Sequence, residues 1–310
     1  MTLAFLVLAH ADPEHLARLI AALREDWTRF YVHIDRKADM KAFETVRRLP
    51  QTRFIEDRVD ACWGGFSLVQ ATLNLMAAAM RDAPAADRFL LISGSDYPIR
   101  SNRALRAYLE ASDREHISLL EMPTPDGRKP LSRLEMFQFE GARSRPMPKR
   151  VLLHQTNRLL ERHYKRDYRR ALGGIKPYAS SQWWALSRDA VGHILDFVRA
   201  NPRLVRFYKH SHIPDEMFFH TILGNSPFRA KAARNLTYAD WSQGLKRNPL
   251  PITPAHAARF AEPGFRLDDV EGAGPCFFAR KFTSRDRELL DRIDQFRESV
   301  KSTHEATADR

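Results

Sequence analysis

Short apolar runs alternate with helical patterns along the first third of the chain. The runs have the length of strands, and the segments between them are long enough for helices. We place strands at residues 3–9, 30–34, near Phe54 and 89–93, with helices at 13–24 and 67–81. Strands separated by helices of this length predict crossover units, with a mostly parallel central sheet that helices flank on both faces. The expected fold class is therefore α/β.

The alternation continues less regularly in the second half of the chain. An aromatic-rich strand at 182–186 precedes a helix at 189–200, and another helix begins near Met217. With 310 residues and 44% hydrophobic content, the chain can bury a substantial core. We predict a single domain over residues 1–302, followed by a frayed tail at 303–310.

Composition narrows the class of protein. No apolar stretch reaches the roughly 18–20 residues that a bilayer span needs, and the apolar start at 3–9 lacks the pattern of a secretory signal. Two cysteines, Cys62 and Cys276, suggest neither a disulfide framework nor a thiolate metal site, so we expect a reducing, cytoplasmic compartment. The formal charge of +12 predicts an anionic partner: nucleotide phosphates, an acidic glycan, a membrane surface or nucleic acid.

A strongly basic stretch runs over residues 143–170. Its helix carries six cationic side chains: Arg158, Arg162, Lys165, Arg166, Arg169 and Arg170. A solvated helical face explains such a run, and docking at a membrane surface or on an acidic acceptor is the alternative.

Two carboxylates lie just beyond the ends of apolar strands. Ligands of open α/β sheets bind beyond the carboxyl ends of the strands, so Asp35 and Asp96 are candidates to bind a donor nucleotide. Asp35 would accept hydrogen bonds from a ribose or a uracil, and a surface salt bridge in a turn is the alternative.

Many nucleotide-sugar transferases carry an Asp-x-Asp motif at the end of such a strand, where the two carboxylates hold a divalent cation against the diphosphate. Residues 93–98 contain only one aspartate. A transferase site without that motif must neutralise the diphosphate with basic side chains, and Arg280 and Lys281 are candidates. An edge strand with solvent-facing cations is the alternative.

Two glycines separate aromatic residues in the segment Trp63-Gly64-Gly65-Phe66-Ser67. The segment is either a turn with two core aromatics or a place where Trp63 stacks on a nucleotide base. Ser67 is expected to cap the helix that follows. The segment is not a phosphate-binding loop, because no Gly-Lys-Ser/Thr follows.

Adjacent carboxylates mark the segment Pro214-Asp215-Glu216. Asp215 is explained as a first-turn acid or a cap. Glu216 precedes three large apolar residues, so partial desolvation is expected to raise its pKa towards that of a general base, although capping would also explain it. Three histidines lie nearby without metal-ligand spacing, and we interpret them as ordinary surface or hydrogen-bonded side chains: His210, His212 and His220.

Five segments in order resemble the core-2/I-branching β-1,6-N-acetylglucosaminyltransferase and peptide O-xylosyltransferase family, glycosyltransferase family 14. They are residues 32–38 (VHIDRKA), 63–74, 95–99 (SDYPI), 214–216 (PDE) and 278–282 (FARKF). The resemblance covers most of the chain, from Leu3 to Phe282. It implies a GT-A-like fold, inverting chemistry and a site that needs no metal, which agrees with the single aspartate at 93–98. The cysteines and anchor of Golgi members are missing, so a bacterial-type relative is implied.

The resemblance also implies roles for individual residues. The family's catalytic base falls on Glu216, its nucleotide-binding aspartate on Asp35, its aromatic beside the nucleotide base on Trp63 and its diphosphate-binding lysine on Lys281. Acceptor contacts match less closely: a glutamate falls on Glu121, an arginine on Arg133, and an aromatic residue on either Tyr238 or Trp241. A second basic contact to the diphosphate has three candidates: Lys246, Arg247 and Arg259.

The sequence therefore predicts a soluble, inverting glycosyltransferase. It would move a sugar, N-acetylglucosamine or xylose, from a UDP-sugar to a hydroxyl of a glycan, glycolipid or peptide, without a cofactor. A non-catalytic glycan- or nucleotide-binding relative is the alternative. Nucleic-acid binding is suggested by charge alone, and the carboxylates at the strand ends argue against it.

Overall fold

The computed structural model describes residues 1–141, 147–244, 249–262 and 264–308, with side chains as far as residue 298. Two candidates for a diphosphate contact, Lys246 and Arg247, lie outside the described residues, as do residues 143–146 of the basic stretch.

Fourteen strands and twelve helices are present in the described residues. The strands are β1 Thr2–Ala9, β2 Thr28–Ile34, β3 Thr52–Phe54, β4 Ala86–Ser93, β5 Asp96–Pro98, β6 Glu115–His116, β7 Leu120–Glu121, β8 Tyr178–Ala179, β9 Trp184–Ser187, β10 Ala232–Ala233, β11 Thr237–Ala239, β12 Arg266–Asp269, β13 Gly272–Pro275 and β14 Phe278–Arg280. The helices are α1 Pro13–Leu23, α2 Glu44–Arg47, α3 Phe66–Asp82, α4 Asn102–Glu110, α5 Ser132–Glu135, α6 Met147–His163, α7 Tyr168–Leu172, α8 Arg188–Ala200, α9 Pro202–Tyr208, α10 Phe218–Gly224, α11 Pro254–Ala261 and α12 Arg287–Ala308. Short 3₁₀ turns lie at Met40–Phe43, Pro214–Glu216 and Pro227–Lys231.

A seven-stranded sheet forms the centre of the fold, in the order β10-β6-β9-β4-β1-β2-β3. Strands β3, β2, β1 and β4 pair in parallel, and β9 runs antiparallel to both of its neighbours. The predicted α/β class with a mostly parallel central sheet is confirmed. A second, three-stranded sheet has the order β11-β14-β5.

Alternate residues of β1 pack on opposite faces of the central sheet. Phe5 and Val7 belong to a buried cluster with Leu19 of α1, whereas Leu6 belongs to a second cluster with Met76 of α3. This two-sided burial explains why β1 is almost continuously apolar. Each fully buried side chain of this size contributes roughly 1.5–3 kcal/mol to folding.

The carboxyl ends of three central strands are held together by backbone hydrogen bonds. The Asp35 N–H donates to the carbonyl of Ala9 at 2.8 Å, and the Gly94 N–H donates to that of Leu8 at 2.9 Å. A side chain at position 94 would bring its Cβ within 2.9 Å of the Ala9 Cβ, so glycine permits this approach. The strand ends that carry Asp35 and Asp96 therefore lie at one edge of the sheet.

One of two predicted helix starts needs a correction. Helix α3 begins at Phe66 with Gly65 as its cap, so the prediction that Ser67 caps it is wrong. The Ser67 hydroxyl instead accepts a hydrogen bond from the Cys62 N–H at 2.7 Å, which closes the preceding turn. After Glu216, a 3₁₀ turn ends and α10 begins at Phe218.

The basic stretch forms two helices, α6 and α7, and they differ from the single helical face expected. Arg166 lies between them and is buried, where its guanidinium stacks 3.7 Å from the ring centre of Phe207 and donates to the carbonyl of His210 at 2.8 Å. Burial lowers the pKa of Arg166 to about 10. Arg166 therefore anchors the segment to the core, because its guanidinium supplies hydrogen bonds to backbone carbonyls in the interior.

Among the residues described here, none of the helices is both long enough and apolar enough to traverse a bilayer. Cys62 and Cys276 are buried thiols that are not joined in a disulfide. The domain limits, with a frayed tail at 303–310, stay a prediction.

Candidate functional site

Glu216 lies at the end of the 3₁₀ turn, and its backbone is fixed from two sides. Its carbonyl accepts a hydrogen bond from the Ser180 N–H at 3.0 Å, next to β8. The Ile213 N–H, at the start of the same turn, donates to the carbonyl of Gly64 at 3.1 Å. The turn is therefore joined to the Trp63–Gly65 segment, and the Glu216 side chain keeps 24% of its surface exposed.

Two cations contact the Glu216 carboxylate. Its Oε2 accepts hydrogen bonds from the Lys129 ammonium and from the Arg133 guanidinium, the second at 2.6 Å. Burial alone would raise the pKa of Glu216, but these two charges outweigh it and lower the pKa below its usual range. The expectation of a raised pKa at Glu216 is therefore wrong, because it considered only the apolar residues that follow in sequence.

Asp215 carries the raised pKa in this turn. Its side chain is buried, and Oδ1 has no hydrogen-bond partner among the described residues. Burial, and then the charge of Glu216, raise the pKa of Asp215 to about 7. Neither carboxylate caps α10, whose N-terminus has no side-chain cap, so the capping interpretation is not supported.

Asp35 directly follows β2 and forms an ion pair. Its Oδ2 lies 3.0 Å from the Lys37 ammonium, which also lies 2.6 Å from a carboxylate oxygen of Asp60. The Lys37 N–H donates to Asp35 Oδ1 at 2.9 Å. The salt bridge in a turn is present, and binding of a nucleotide by Asp35 stays a prediction.

Asp96 and Arg280 face each other across paired strands. The strand register places Asp96 of β5 opposite Arg280 of β14, and Arg280 Nε lies 3.5 Å from Asp96 Oδ1. Both side chains are buried, and the Arg280 guanidinium also lies 4.1 Å from the ring centre of Trp183. The edge-strand interpretation with solvent-facing cations therefore fails for Arg280, because its charge compensates a carboxylate in the interior.

Lys281 follows Arg280 and is half-buried. Burial, and then the neighbouring charge of Arg280, lower the pKa of the Lys281 ammonium. An anionic ligand beside Lys281 would relieve the repulsion between these two cations. Binding of a diphosphate there stays a prediction.

Trp63 and Phe66 have different environments. Phe66 is buried and packs edge-on against Phe218, with ring centres 5.4 Å apart, whereas Trp63 keeps 42% of its surface exposed. Between them, Gly64 has a positive φ of 68°, a backbone conformation that glycine adopts readily and that turns the chain here. Thus only one of the two aromatics belongs to the core, and Trp63 has an accessible ring face.

A cavity of about 310 Å³ opens beside Trp63. Residues from the Trp63–Gly65 segment, the 138–141 segment, α6 and the 209–212 segment line it: Trp63, Gly64, Gly65, Gln138, Phe139, Glu140, Gly141, His154, Asn157, Arg158, Glu161, Lys209, Ser211 and His212. The Glu140 carboxylate accepts a hydrogen bond from the Ser67 N–H at 3.2 Å, at the start of α3. The cavity therefore combines an aromatic surface with polar groups of both charges.

The acceptor candidates have different surroundings. Arg133 contacts Glu216 directly. Glu121 is exposed and pairs with Lys176 at 3.1 Å. Tyr238 is buried against Phe260, and Trp241 is exposed. Their roles as acceptor contacts stay predictions.

Arg259, a candidate for the second diphosphate contact, is exposed on α11 and lies over the ring of Phe265 at 5.7 Å. Lys129 is the site residue that sequence reasoning missed, because nothing in its Pro- and Gly-containing loop indicates contact with a residue 87 positions away.

The nearby histidines make hydrogen bonds and ring contacts. His210 stacks on Phe137 at 4.3 Å, and a ring nitrogen of His220 lies 2.9 Å from the carbonyl of Ser181. This agrees with the interpretation of these side chains as hydrogen-bonded. Within the described ranges, no three or more His, Cys, Asp or Glu side chains are grouped as metal ligands.

Comparison with known proteins gives sequence relatives over almost the whole chain. Xylosyltransferase 2 of Canis lupus familiaris is 26% identical over 309 residues, which cover 94% of this chain and 33% of that protein. Xylosyltransferase 1 of Rattus norvegicus is 25% identical over 323 residues, which cover 95% of this chain and 35% of that protein. The chain therefore spans about a third of the length of these relatives.

Solved structures give weaker matches. The galactosyltransferase LgtC, in complex with donor and acceptor sugar analogues, aligns with a TM-score of 0.39 and 12% identity, over 95% of both chains. Mouse xyloside xylosyltransferase 1 in its apo form aligns with a TM-score of 0.37 and 12% identity, over 90% of this chain and 97% of that one.

A match to a whole family is more decisive than any of these pairs. Residues 3–262 match the family described as "Branch: Core-2/I-Branching enzyme". This range contains β1 except its first residue, β2 to β11, and both Asp35 and Glu216. Because the match covers most of the sequence, the chain belongs to the Core-2/I-branching enzyme family of glycosyltransferases.

Proposed function

We propose that this protein is an inverting, metal-independent glycosyltransferase that uses Glu216 as its catalytic base. The observation that carries the proposal is the Glu216 carboxylate itself: partly exposed, fixed through its backbone and held ionised by Lys129 and Arg133. A general base must be deprotonated before the reaction, and a lowered pKa meets that condition at neutral pH.

The reaction is a direct displacement. The acceptor hydroxyl oxygen attacks the anomeric carbon, the bond from that carbon to the diphosphate oxygen breaks, and the hydroxyl proton passes to Glu216. Both cations contact Oε2, so the second carboxylate oxygen is the one that an acceptor hydroxyl would approach. A positioned base contributes typically ~10²- to 10⁴-fold to the rate.

Protein cations would stabilise the leaving diphosphate. Lys281 is the side chain proposed for this contact, and its lowered pKa is consistent with a crowded positive environment that an anion would stabilise. Asp96, the single carboxylate after β4, is already compensated by Arg280. This arrangement supports charge neutralisation by side chains, without a divalent cation or a cofactor.

The proposed donor is a UDP-sugar, with xylose or N-acetylglucosamine as the transferred group. Asp35 and Trp63 are the residues proposed to bind its nucleotide. The names of the relatives support xylose, and the family description supports a branching transfer. The acceptor would be a hydroxyl of a glycan, glycolipid or peptide.

The experiment combines donor binding with turnover. UDP-sugars are screened for protection against thermal unfolding with and without EDTA, and the protective donor is used to assay transfer. Glu216→Gln should abolish transfer while donor protection persists, because the side chain keeps its shape and loses its basicity. Glu44→Gln, which removes an exposed pair with Arg48, is the matched control and should transfer normally.

Three outcomes would contradict the proposal. Full turnover by Glu216→Gln would remove the base, and loss of activity with EDTA would remove metal independence. The third outcome is that the native protein binds a donor and is protected by it, yet neither transfers the sugar nor hydrolyses the donor. That result would favour a non-catalytic binding protein, in which the ion pairs of Glu216 would serve only to hold the turn in place.

A further inference from the structure

Helix α6 lies on the surface without burying any residue. Its 17 residues from Met147 to His163 are all exposed or half-buried. A helix of this length normally owes its stability to an apolar face packed on the core. Helix α6 buries only part of its inner side, and its Asn157 accepts a hydrogen bond from the Phe139 N–H at 2.7 Å and donates one to the Phe139 carbonyl at 3.0 Å.

The half-buried residues of α6 identify its inner side. They are Leu153, Thr156, Asn157 and Leu160, which recur at the spacing of one helical face. The opposite side therefore points away from the protein. This outer side carries large apolar side chains that are 47–66% exposed: Met147, Val151, Leu152 and Leu159.

Exposed cations accompany these apolar side chains along α6. They are Lys149, Arg150, Arg158 and Arg162, against the single carboxylate Glu161. A helix that presents both apolar and cationic groups to solvent has the chemistry of a helix lying in a membrane interface, with apolar groups below the headgroups and cations among anionic lipids.

We propose that α6 docks this protein onto an anionic membrane surface. Charge favours this occupant over a second copy of the chain, because two such helices would repel each other. Exposed apolar side chains favour it over nucleic acid, because they add nothing to contact with phosphates.

The same helix joins this surface to the cavity beside Trp63. Four of its residues line that cavity: His154, Asn157, Arg158 and Glu161. Docking through the outer side of α6 would hold the cavity at the lipid surface, within reach of a polar group carried on a lipid. The docking itself does not depend on the proposed transferase reaction.

Vesicle co-sedimentation of the full chain tests the proposal. Vesicles of phosphatidylcholine alone are compared with equal mixtures of phosphatidylcholine and phosphatidylglycerol. We expect binding at least about tenfold tighter to the anionic vesicles, weakening as salt is added. Leu152→Glu combined with Leu159→Glu should lower that binding by about tenfold or more, because two inserted side chains become charged.

Val270→Glu is the matched control. Val270 is another exposed apolar residue, 45% accessible, in the turn between β12 and β13, and its replacement should leave vesicle binding unchanged. Thermal unfolding should be alike in all variants, since every substituted side chain is exposed. Equal binding to both vesicle types would overturn the proposal, and so would native-like vesicle binding by the double variant. It would also be overturned if the native protein self-associated without binding vesicles and the double variant abolished that self-association.

Discussion

The two adjacent carboxylates of the site should change the stability of the protein with pH in opposite directions. Asp215 has its pKa raised to about 7 by burial and by Glu216, whereas cations lower the pKa of Glu216. Folded Asp215 therefore binds its proton more tightly than the unfolded chain does. Its contribution to stability is complete below its ordinary pKa of 3.8 and is lost as the pH rises through about 7.

The size of this effect follows from the pKa difference. A shift of about three units corresponds to about 4 kcal/mol over the whole titration, at about 1.4 kcal/mol per unit. Between pH 5 and pH 8, the loss should be about 3 kcal/mol. For a chain of this length, that amounts to about 5 °C in Tm.

Asp215→Asn removes the titration and keeps the shape of the side chain. Thermal and urea unfolding of the variant and the native protein are measured at intervals from pH 5 to pH 8. We expect the variant to gain about 3 kcal/mol relative to the native protein as the pH rises across this range. The difference between the two proteins is the relevant quantity, because other titrating groups cancel in it.

Asp126→Asn is the control for this measurement. Hydrogen bonds from Thr124 and Arg128 lower the pKa of Asp126 despite its partial burial, so it titrates below pH 3.8. Its effect on stability should therefore be constant between pH 5 and pH 8. Parallel stability curves for Asp215→Asn and the native protein would refute the reasoning, since Asp215 would then be ionised throughout.

Three further substitutions test the contacts described above. Lys129→Met removes one cation from Glu216, so the pKa of this carboxyl should rise and the acidic limb of the pH–rate profile should move to higher pH. An unmoved limb would show that Lys129 does not influence the base. Gly224→Ala should cost about 1–3 kcal/mol in urea unfolding, because the new Cβ would overlap the buried ring of Tyr178. Gly192→Ala, whose Cβ would have 3.8 Å of space in α8, should be neutral or stabilise by up to about 1 kcal/mol, and equal losses at both positions would contradict the packing argument.

The central sheet was predictable because its strands are buried on both faces. The apolar runs at the centres of β1, β2 and β4 contain few polar residues, such as His33, and the helices between them bury one face each. Sequence position also placed Asp35 and Asp96 at the correct edge, since both follow strands of the sheet.

The electrostatics of the site depended on contacts between distant residues. Glu216 and Arg133 are 83 positions apart, so the residues next to Glu216 gave the wrong direction for its pKa. Similarly, the cations of the basic stretch look equivalent in sequence, yet Arg166 is buried against Phe207 while Arg158 remains at the surface. The spacing of residues in a sequence identifies which side chains share a helical face. It does not identify which of several cations will donate to a backbone carbonyl far away in the chain.

Strand β14 has a consequence for any shortened version of this protein. It lies between β11 and β5 and carries Arg280, yet it falls after residue 262, where the family match ends. Truncation at that residue would deprive β5 of its pairing partner and leave the Asp96 carboxylate in the interior without a countercharge, a loss that typically costs about 3–5 kcal/mol. Expression fragments designed from the family boundary alone should therefore aggregate, whereas those that retain β14 should fold.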